Sequence, residues 1–191
     1  MIMTLSVVLR TIDVLLAILG VLILFPVFLL LYVLGLIDTG SPILYQERIG
    51  RNRRSFVLMK FRTMKLGTAH VATHMVSRNA ITPLGALLRR TKLDELPQFW
   101  NVLRGEMSFV GPRPGLPNQF ELIQARVACG VYSVRPGITG LAQINTIDMS
   151  TPELLAETDA QMLRELSLVN YFKYLIITVA GKGAGDRVKI G

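Results

Sequence analysis

The chain has 191 residues, enough for one ordinary domain and a short appendage, and its 21 Lys and Arg against 13 Asp and Glu leave a formal charge of +8. That charge suits an anionic partner such as a lipid headgroup, a nucleotide sugar or nucleic acid, and hydrophobic residues, 51% of the chain, crowd near the N-terminus, which points to an anchored protein and not a polytopic one. The single cysteine, Cys129, excludes an internal disulfide and a cysteine-rich metal cluster, fits a cytoplasmic location and reads as a small buried apolar residue.

From Val14 to Ile37 there is no charged residue, and the run exceeds the roughly 20 apolar residues that cross a bilayer. It is also too long for a signal-peptide core, and no small-x-small cleavage pattern follows it. Pro26 sits in the middle, where a missing backbone donor and a steric clash predict a break into two half-helices. Arg10 precedes the run, and Arg48, Arg51, Arg53, Arg54, Lys60, Arg62 and Lys65 follow it. The positive-inside tendency keeps the basic following segment cytoplasmic, and with Arg10 on the same side the segment enters and leaves by one face. Residues 1–40 are therefore predicted as a re-entrant membrane-anchoring helix broken at Pro26, with a kinked helix that spans fully as the alternative, and residues 41–191 as a domain on the cytoplasmic face.

After the turn-rich Asp38 to Pro42, residues 43–64 read as two short strands around a basic, Gly-containing turn, a small β-hairpin. Residues 65–80 lack periodicity and read as a loop; His70 and His74 lie in it, and without a third ligand nearby they are assigned no metal. From Thr82 the pattern is helical, with Pro97 allowed near a helix start and Gly105 as a stop, so Asp94 and Glu95 are placed at or just before a helix N-terminus. Segments 119–128 and 152–168 are predicted as amphipathic helices, the second turning Leu155, Met162 and Leu166 inward. Tyr171 to Gly181 is too short to span a membrane, and its tyrosines, lysine and aliphatics suit an interfacial helix. The fold class expected is α+β, mostly helical.

Three clusters carry chemistry. Asp94 and Glu95 follow Arg89, Arg90 and Lys92, whose positive potential favours an ionised carboxylate, and a carboxylate can attack phosphorus when cations neutralise the phosphate oxygens. In SFVGPRP, residues 108–114, prolines on both sides of Arg113 restrict where its guanidinium projects, which suits bidentate phosphate binding. In RPGITG, residues 135–140, Arg135 precedes a glycine-containing turn whose amides can approach a ligand closely. A tight turn with a solvated arginine remains the plainer alternative for both.

Together the motifs resemble the monotopic phosphoglycosyl transferases, the bacterial sugar transferase family. The resemblance runs through RTID (10–13), the Pro-broken apolar segment, YQERIG (45–50), KFRTM (60–64), LRRTKLDELPQFWNVLRGEMSFVGPRP (88–114) and RPGITGLAQIN (135–145). It implies transfer of a phosphosugar from a UDP-sugar to polyprenyl (undecaprenyl) phosphate at the bacterial inner membrane, with release of UMP, as the first membrane step of glycoconjugate assembly. Asp94 then corresponds to the nucleophile that forms an aspartyl-phosphosugar intermediate, Glu95 to its partner, and Arg89, Arg113 and Arg135 to substrate-phosphate ligands. Mg2+ is the implied cofactor, with Asp94 as its expected ligand, and membrane lipids are partners. The family's larger members carry a further N-terminal membrane region, so this chain is expected to match the minimal catalytic unit.

Three departures stand out: Phe25 replaces the usual Ser before the proline, Thr146-Ile147-Asp148 replaces a common Gly-Arg-Asn, and Tyr171 stands where Asp is frequent. They leave the sugar, the pathway and any homo-oligomeric state open. Two rival classes are weighed against this one. A membrane adaptor binding anionic headgroups through residues 48–65 explains the charge but not the acids, and nucleic-acid binding lacks a groove-reading or stacking module.

Overall fold

The structure, a computed structural model, describes residues 2–68 and 78–181, so the loop histidines lie outside the described residues. It opens with one long helix, α1 (Ile2–Thr39), which continues through Pro26. The expected division into two half-helices is not found. Proline removes one backbone hydrogen bond, whereas packing acts on both sides of it: Leu9, Asp13 and Ala17 before it and Leu31 and Gly35 after it are buried on the rest of the chain. These positions recur at helical spacing and form a single stripe along about 39 Å of helix. The opposite face, with Leu15, Leu22, Phe25, Leu29 and Ile37, is exposed and apolar. Among the described residues α1 is the one helix long and apolar enough to cross a membrane, which fits membrane association.

The chain then turns into the expected hairpin, β1 (Ile43–Ile49) against β2 (Ser55–Phe61), antiparallel from Ile43 opposite Phe61 to Ile49 opposite Ser55. Its connection holds Asn52 and Arg53 at φ of 56° and 59°, and Asn is among the side chains that best tolerate that region. The hairpin is less of a charged surface than its sequence suggests, because Arg48 and Lys60 are buried. The free edge of β2 is satisfied by a side chain: Asn101 accepts from Met59 N–H at 3.0 Å and donates to the Val57 carbonyl at 2.7 Å. This fixes the helix carrying Asn101 beside the hairpin.

Helix α2 (Pro83–Thr91) starts on a Thr82 cap with Pro83 in its first turn, and α3 (Gln98–Arg104) follows Pro97 and ends at Gly105, φ 81°. Gly85 lets α2 lie on the hairpin exit, since a Cβ there would collide with the Thr63 carbonyl oxygen. Beyond α3, β3 (Ser108–Val110) pairs in parallel with β4 (Gly137–Thr139). The backbones approach so closely that a Cβ on Gly137 would collide with the Gly111 backbone nitrogen. Both short strands come from segments read from sequence as arginine-bearing turns.

Helices α4 (Phe120–Ala128), α5 (Leu141–Ile144), α6 (Pro152–Arg164) and α7 (Leu168–Val179) complete the order. The helix expected over 152–168 ends at Arg164; within it Leu155 and Met162 are buried as expected, and Leu166, beyond its end, packs on the core. Cys129 is exposed at the end of α4, contrary to the buried apolar role expected of it. In α7 the tyrosines also differ from expectation, because Tyr171 and Tyr174 face the core. The outward face is instead Val169, Phe172, Ile176 and Val179, at spacings of three and four, so the helix keeps an exposed apolar stripe without its aromatic hydroxyls.

Candidate active site

Asp94 and Glu95 occupy a 3-10 turn, Leu93–Glu95, between α2 and α3. Lys92 ends α2 in the left-handed region, φ 60°, and this reversal turns the acids inward: Asp94 is 3% exposed and Glu95 8%. Two buried carboxylates side by side need compensating partners. Arg113 supplies one, donating from Nη2 to Glu95 Oε1 at 2.8 Å.

Arg113 is held from behind by contacts that local sequence does not signal. Its own carbonyl accepts from Arg126 Nη1 at 2.8 Å, and the next carbonyl, Pro114, accepts from Arg48 Nη1 at 2.9 Å. Arg48 also donates to Gln46 Oε1 at 2.6 Å, and Arg126 donates twice to Asp159 Oδ2, at 3.0 and 2.7 Å. Arg126 and Asp159 are both buried; burial raises the Asp159 carboxyl above its ordinary range, and the Arg126 guanidinium opposes that shift. Two internal arginines thus pin the backbone of the Pro-Arg-Pro segment, so that a third presents its guanidinium to the acids. Arg48 lies 66 residues from the carbonyl it holds, and Arg126, 13 residues from its own, is fixed by a carboxylate 33 residues further on, which hides the arrangement from motif reading.

Arg89 approaches from α2, with Nε donating to Thr63 Oγ1 at 2.8 Å just beyond β2. Lys92 donates to the Thr178 carbonyl at 3.4 Å, and Thr178 shares a hydrogen bond with Thr139, so the ends of α7 and β4 converge beside the turn that bears the acids. Arg135 is placed elsewhere. Its Nε donates to the Gly105 carbonyl at 2.7 Å, at the far end of α3 from Asp94, where Arg10 also donates to the Val102 and Leu103 carbonyls at 2.8 and 3.2 Å. Burial first, then the Arg10 and Arg51 guanidiniums, lowers Arg135 from its ordinary value. The geometry makes it a partner of unsatisfied helix-end carbonyls and does not bring it to the acid pair.

A groove of about 320 Å³ opens between α1, the hairpin and the start of α3. Its wall is almost wholly apolar, with Gly20, Phe25 and Phe28 from α1, Tyr45 from β1, and Trp100 from α3. Leu96 and Pro97, the two residues after Glu95, line it as well. The apolar groove between α1 and the hairpin is thus lined in part by the residues that directly follow the acid pair in the chain.

A second polar centre was not anticipated. Asp13, 2% exposed on α1, accepts three hydrogen bonds at one oxygen: from Ser108 Oγ at 3.0 Å, Phe109 N–H at 2.9 Å and Tyr171 Oη at 2.7 Å. Burial, followed by the Asp13 carboxylate, pushes the Tyr171 phenol well above its usual value, which keeps it a donor. The sequence signal was present in part, as the one acid between Ile2 and Ile37.

Comparison with known proteins agrees with this arrangement. The profile of the family described as bacterial sugar transferase matches residues 4–182. The chain is 38% identical to an uncharacterised sugar transferase of Haemophilus influenzae over 74% of this chain and 34% of that protein. It is 40% identical to the exopolysaccharide production protein ExoY of Sinorhizobium fredii, over 71% of this chain and 68% of that one. To the Escherichia coli protein named UDP-glucose:undecaprenyl-phosphate glucose-1-phosphate transferase it is 35% identical, over 89% of this chain and 39% of that one. The chain thus spans a little over a third of the length of the Haemophilus and Escherichia relatives. With a match across nearly all of its residues, and the acid pair, the clamped arginine and the apolar helix in one arrangement, the chain belongs to the bacterial sugar transferase family.

Proposed function

We propose that this chain transfers a phosphosugar from a UDP-sugar to a polyprenyl phosphate such as undecaprenyl phosphate, giving a polyprenyl diphosphate sugar and UMP. The observation that carries the reading is the buried Asp94-Glu95 pair, with Glu95 bound by Arg113, immediately before Leu96 and Pro97, which line an apolar groove. A water-soluble anion and a lipid with an anionic head both need such a place: cations for the phosphates, hydrocarbon contact for the tail. The name of the Escherichia coli relative states the same class of reaction for that protein.

In this mechanism Asp94 attacks the phosphorus that bears the sugar. A carboxylate oxygen–phosphorus bond forms, the bond to the bridging oxygen breaks, and its electron pair leaves on UMP. An oxygen of the polyprenyl phosphate then attacks the same phosphorus, and Asp94 leaves as a carboxylate. Arg113 and Arg89 hold phosphate oxygens, so that an anion can approach an anion, and Glu95 fixes the direction of Arg113. Arg135, bound at the far end of α3, is assigned to holding α3 in place. The groove wall excludes water from the second step, which would otherwise hydrolyse the adduct.

Magnesium fits the donors present. Among the described residues no group of three or more His, Cys, Asp or Glu could form a complete protein cage, but Mg2+ characteristically takes one or two carboxylates and completes its shell with phosphate and water. Asp94 and Glu95 are the residues that would hold it. When bound it would neutralise diphosphate charge and ease the departure of UMP.

The same reading places the domain on the cytoplasmic face of the bacterial inner membrane, with both ends of α1 on that side. In support, residues in both halves of α1 touch one domain: Arg10 and Asp13 bind residues 102–109, and Phe28 meets Phe61 in a tilted pair with ring centroids 5.1 Å apart. A helix crossing the bilayer upright would carry one of these groups to the side opposite its partners. Single cysteines at positions 5 and 45, in a Cys129→Ser background, should show the same sidedness of labelling; opposite labelling would sink this topology.

The function is tested by incubating purified protein with a panel of UDP-sugars, Mg2+ and undecaprenyl phosphate. UMP release with at least one sugar is expected. No release with any of them would favour the headgroup-binding adaptor, although the burial of Arg48 and Lys60 already shrinks the basic surface which that adaptor needs.

A further inference from the structure

A carboxylate buried on an otherwise apolar helix is costly and persists only when its partners are well placed. Asp13 has three, from two different elements, all on Oδ1: Ser108 and Phe109 on β3, and Tyr171 on α7. A charged acceptor makes each bond roughly twice as strong as a neutral one would. The bonds fix α1 in both height and rotation against β3.

What they fix lies at either end of a short packed circuit. Seven residues along α1 from Asp13, on the same face, Gly20 lines the groove and packs so closely on Phe99 that a Cβ would come within 2.5 Å of the ring. Phe99 in turn meets Phe109 edge to face, with centroids 5.0 Å apart. Phe109 is the residue whose N–H binds Asp13, and four residues beyond it comes Arg113. The groove wall and the strand leading to the phosphate-binding arginine are therefore tied to each other at Asp13. The residues proposed for the first step, Asp94, Glu95, Arg89 and Arg113, all lie outside α1.

We propose that Asp13 is a positioning residue for the second step of the reaction: it holds the α1 wall of the groove in register with the Arg113 strand, so that a polyprenyl phosphate lying in the groove brings its phosphate oxygen to the phosphorus carried by Asp94. The inference rests on the two-step transfer proposed above. In that step the acceptor oxygen–phosphorus bond forms and the Asp94 oxygen–phosphorus bond breaks, the electron pair returning to the carboxylate.

The test separates the two steps in full-length protein in nanodiscs. Without acceptor, rapid-quench measurement follows the single burst of UMP; with undecaprenyl phosphate, steady-state turnover is followed. Asp13→Ala should leave the burst rate within about twofold of the parent and lower turnover by roughly 10²-fold, the penalty of an ångström-scale misplacement. Asp13→Asn, which keeps an oxygen for Phe109 N–H, should recover part of the loss. Tyr171→Phe removes one donor and should show the same split more weakly; it carries the test if Asp13→Ala does not fold. Equal losses in burst and turnover, or no loss in either, would overturn the proposal. A parent protein that gives no burst would instead overturn the two-step reading on which it rests.

Discussion

The two ends of α3 are both rich in arginine and do different things. At the start, Arg113 meets the carboxylate of Glu95, with Arg89 close by on Thr63, beside a groove and next to the buried Asp94. At the other end, Arg10 and Arg135 spend their donors on the carbonyls of Val102, Leu103 and Gly105. One set is aimed at side-chain charge, the other at backbone that a short helix leaves unsatisfied. Being a motif arginine followed by proline does not decide between these roles; the partner does.

This contrast can be broken by mutation. The largest effect is expected from Asp94→Asn, which should lower UMP release by at least about 10³-fold and abolish the phosphosugar adduct, with membrane association unchanged. Adduct formation is checked by intact-protein mass spectrometry, and a normal adduct in this variant would remove Asp94 as nucleophile. Next comes the comparison of the two arginines. Arg113→Ala should cost about 10- to 100-fold in kcat/KM for the UDP-sugar, because a fixed phosphate ligand is lost. Arg135→Ala should change kcat/KM by less than about fivefold while lowering unfolding stability by roughly 1–2 kcal/mol, as the Gly105 carbonyl loses a charged donor. Kinetics and denaturant unfolding of both variants decide the matter. If Arg135→Ala matches Arg113→Ala in kinetics at full stability, the division between the two ends of α3 falls.

Much of the local structure was legible from the chain. The hairpin follows from alternation around a basic turn, α2 from its Thr82-Pro83 start, and the site of the acids from Pro97, which permits a helix after them but not through them. The acid pair and Arg113 stand out in the sequence for the same reason, because each lies within a segment whose neighbours already restrict it. Pro26 misled because the local rule is correct but small: one missing hydrogen bond is outweighed when a stripe from Leu9 to Gly35 packs on both sides of it. Tyr171 misled for a related reason, since an amphipathic aromatic suits a membrane interface and suits equally a buried carboxylate that needs a donor.

Sequence alone determined the chemistry available to this protein: an apolar helix able to enter lipid, paired acids, and arginines held by prolines and glycines. Those properties depend on side-chain type and on neighbours a few residues away. Tertiary structure decided which arginine serves the acids and which serves the backbone, that Arg48, 66 residues from Pro114, and Arg126, itself fixed by Asp159 33 residues away, pin the segment carrying Arg113, and that Asp13 ties α1 to β3. Contacts of that range depend on how the elements pack against one another, and a guanidinium or a carboxylate has the same sequence signature whether it ends in water, on a carbonyl or at a reacting phosphorus.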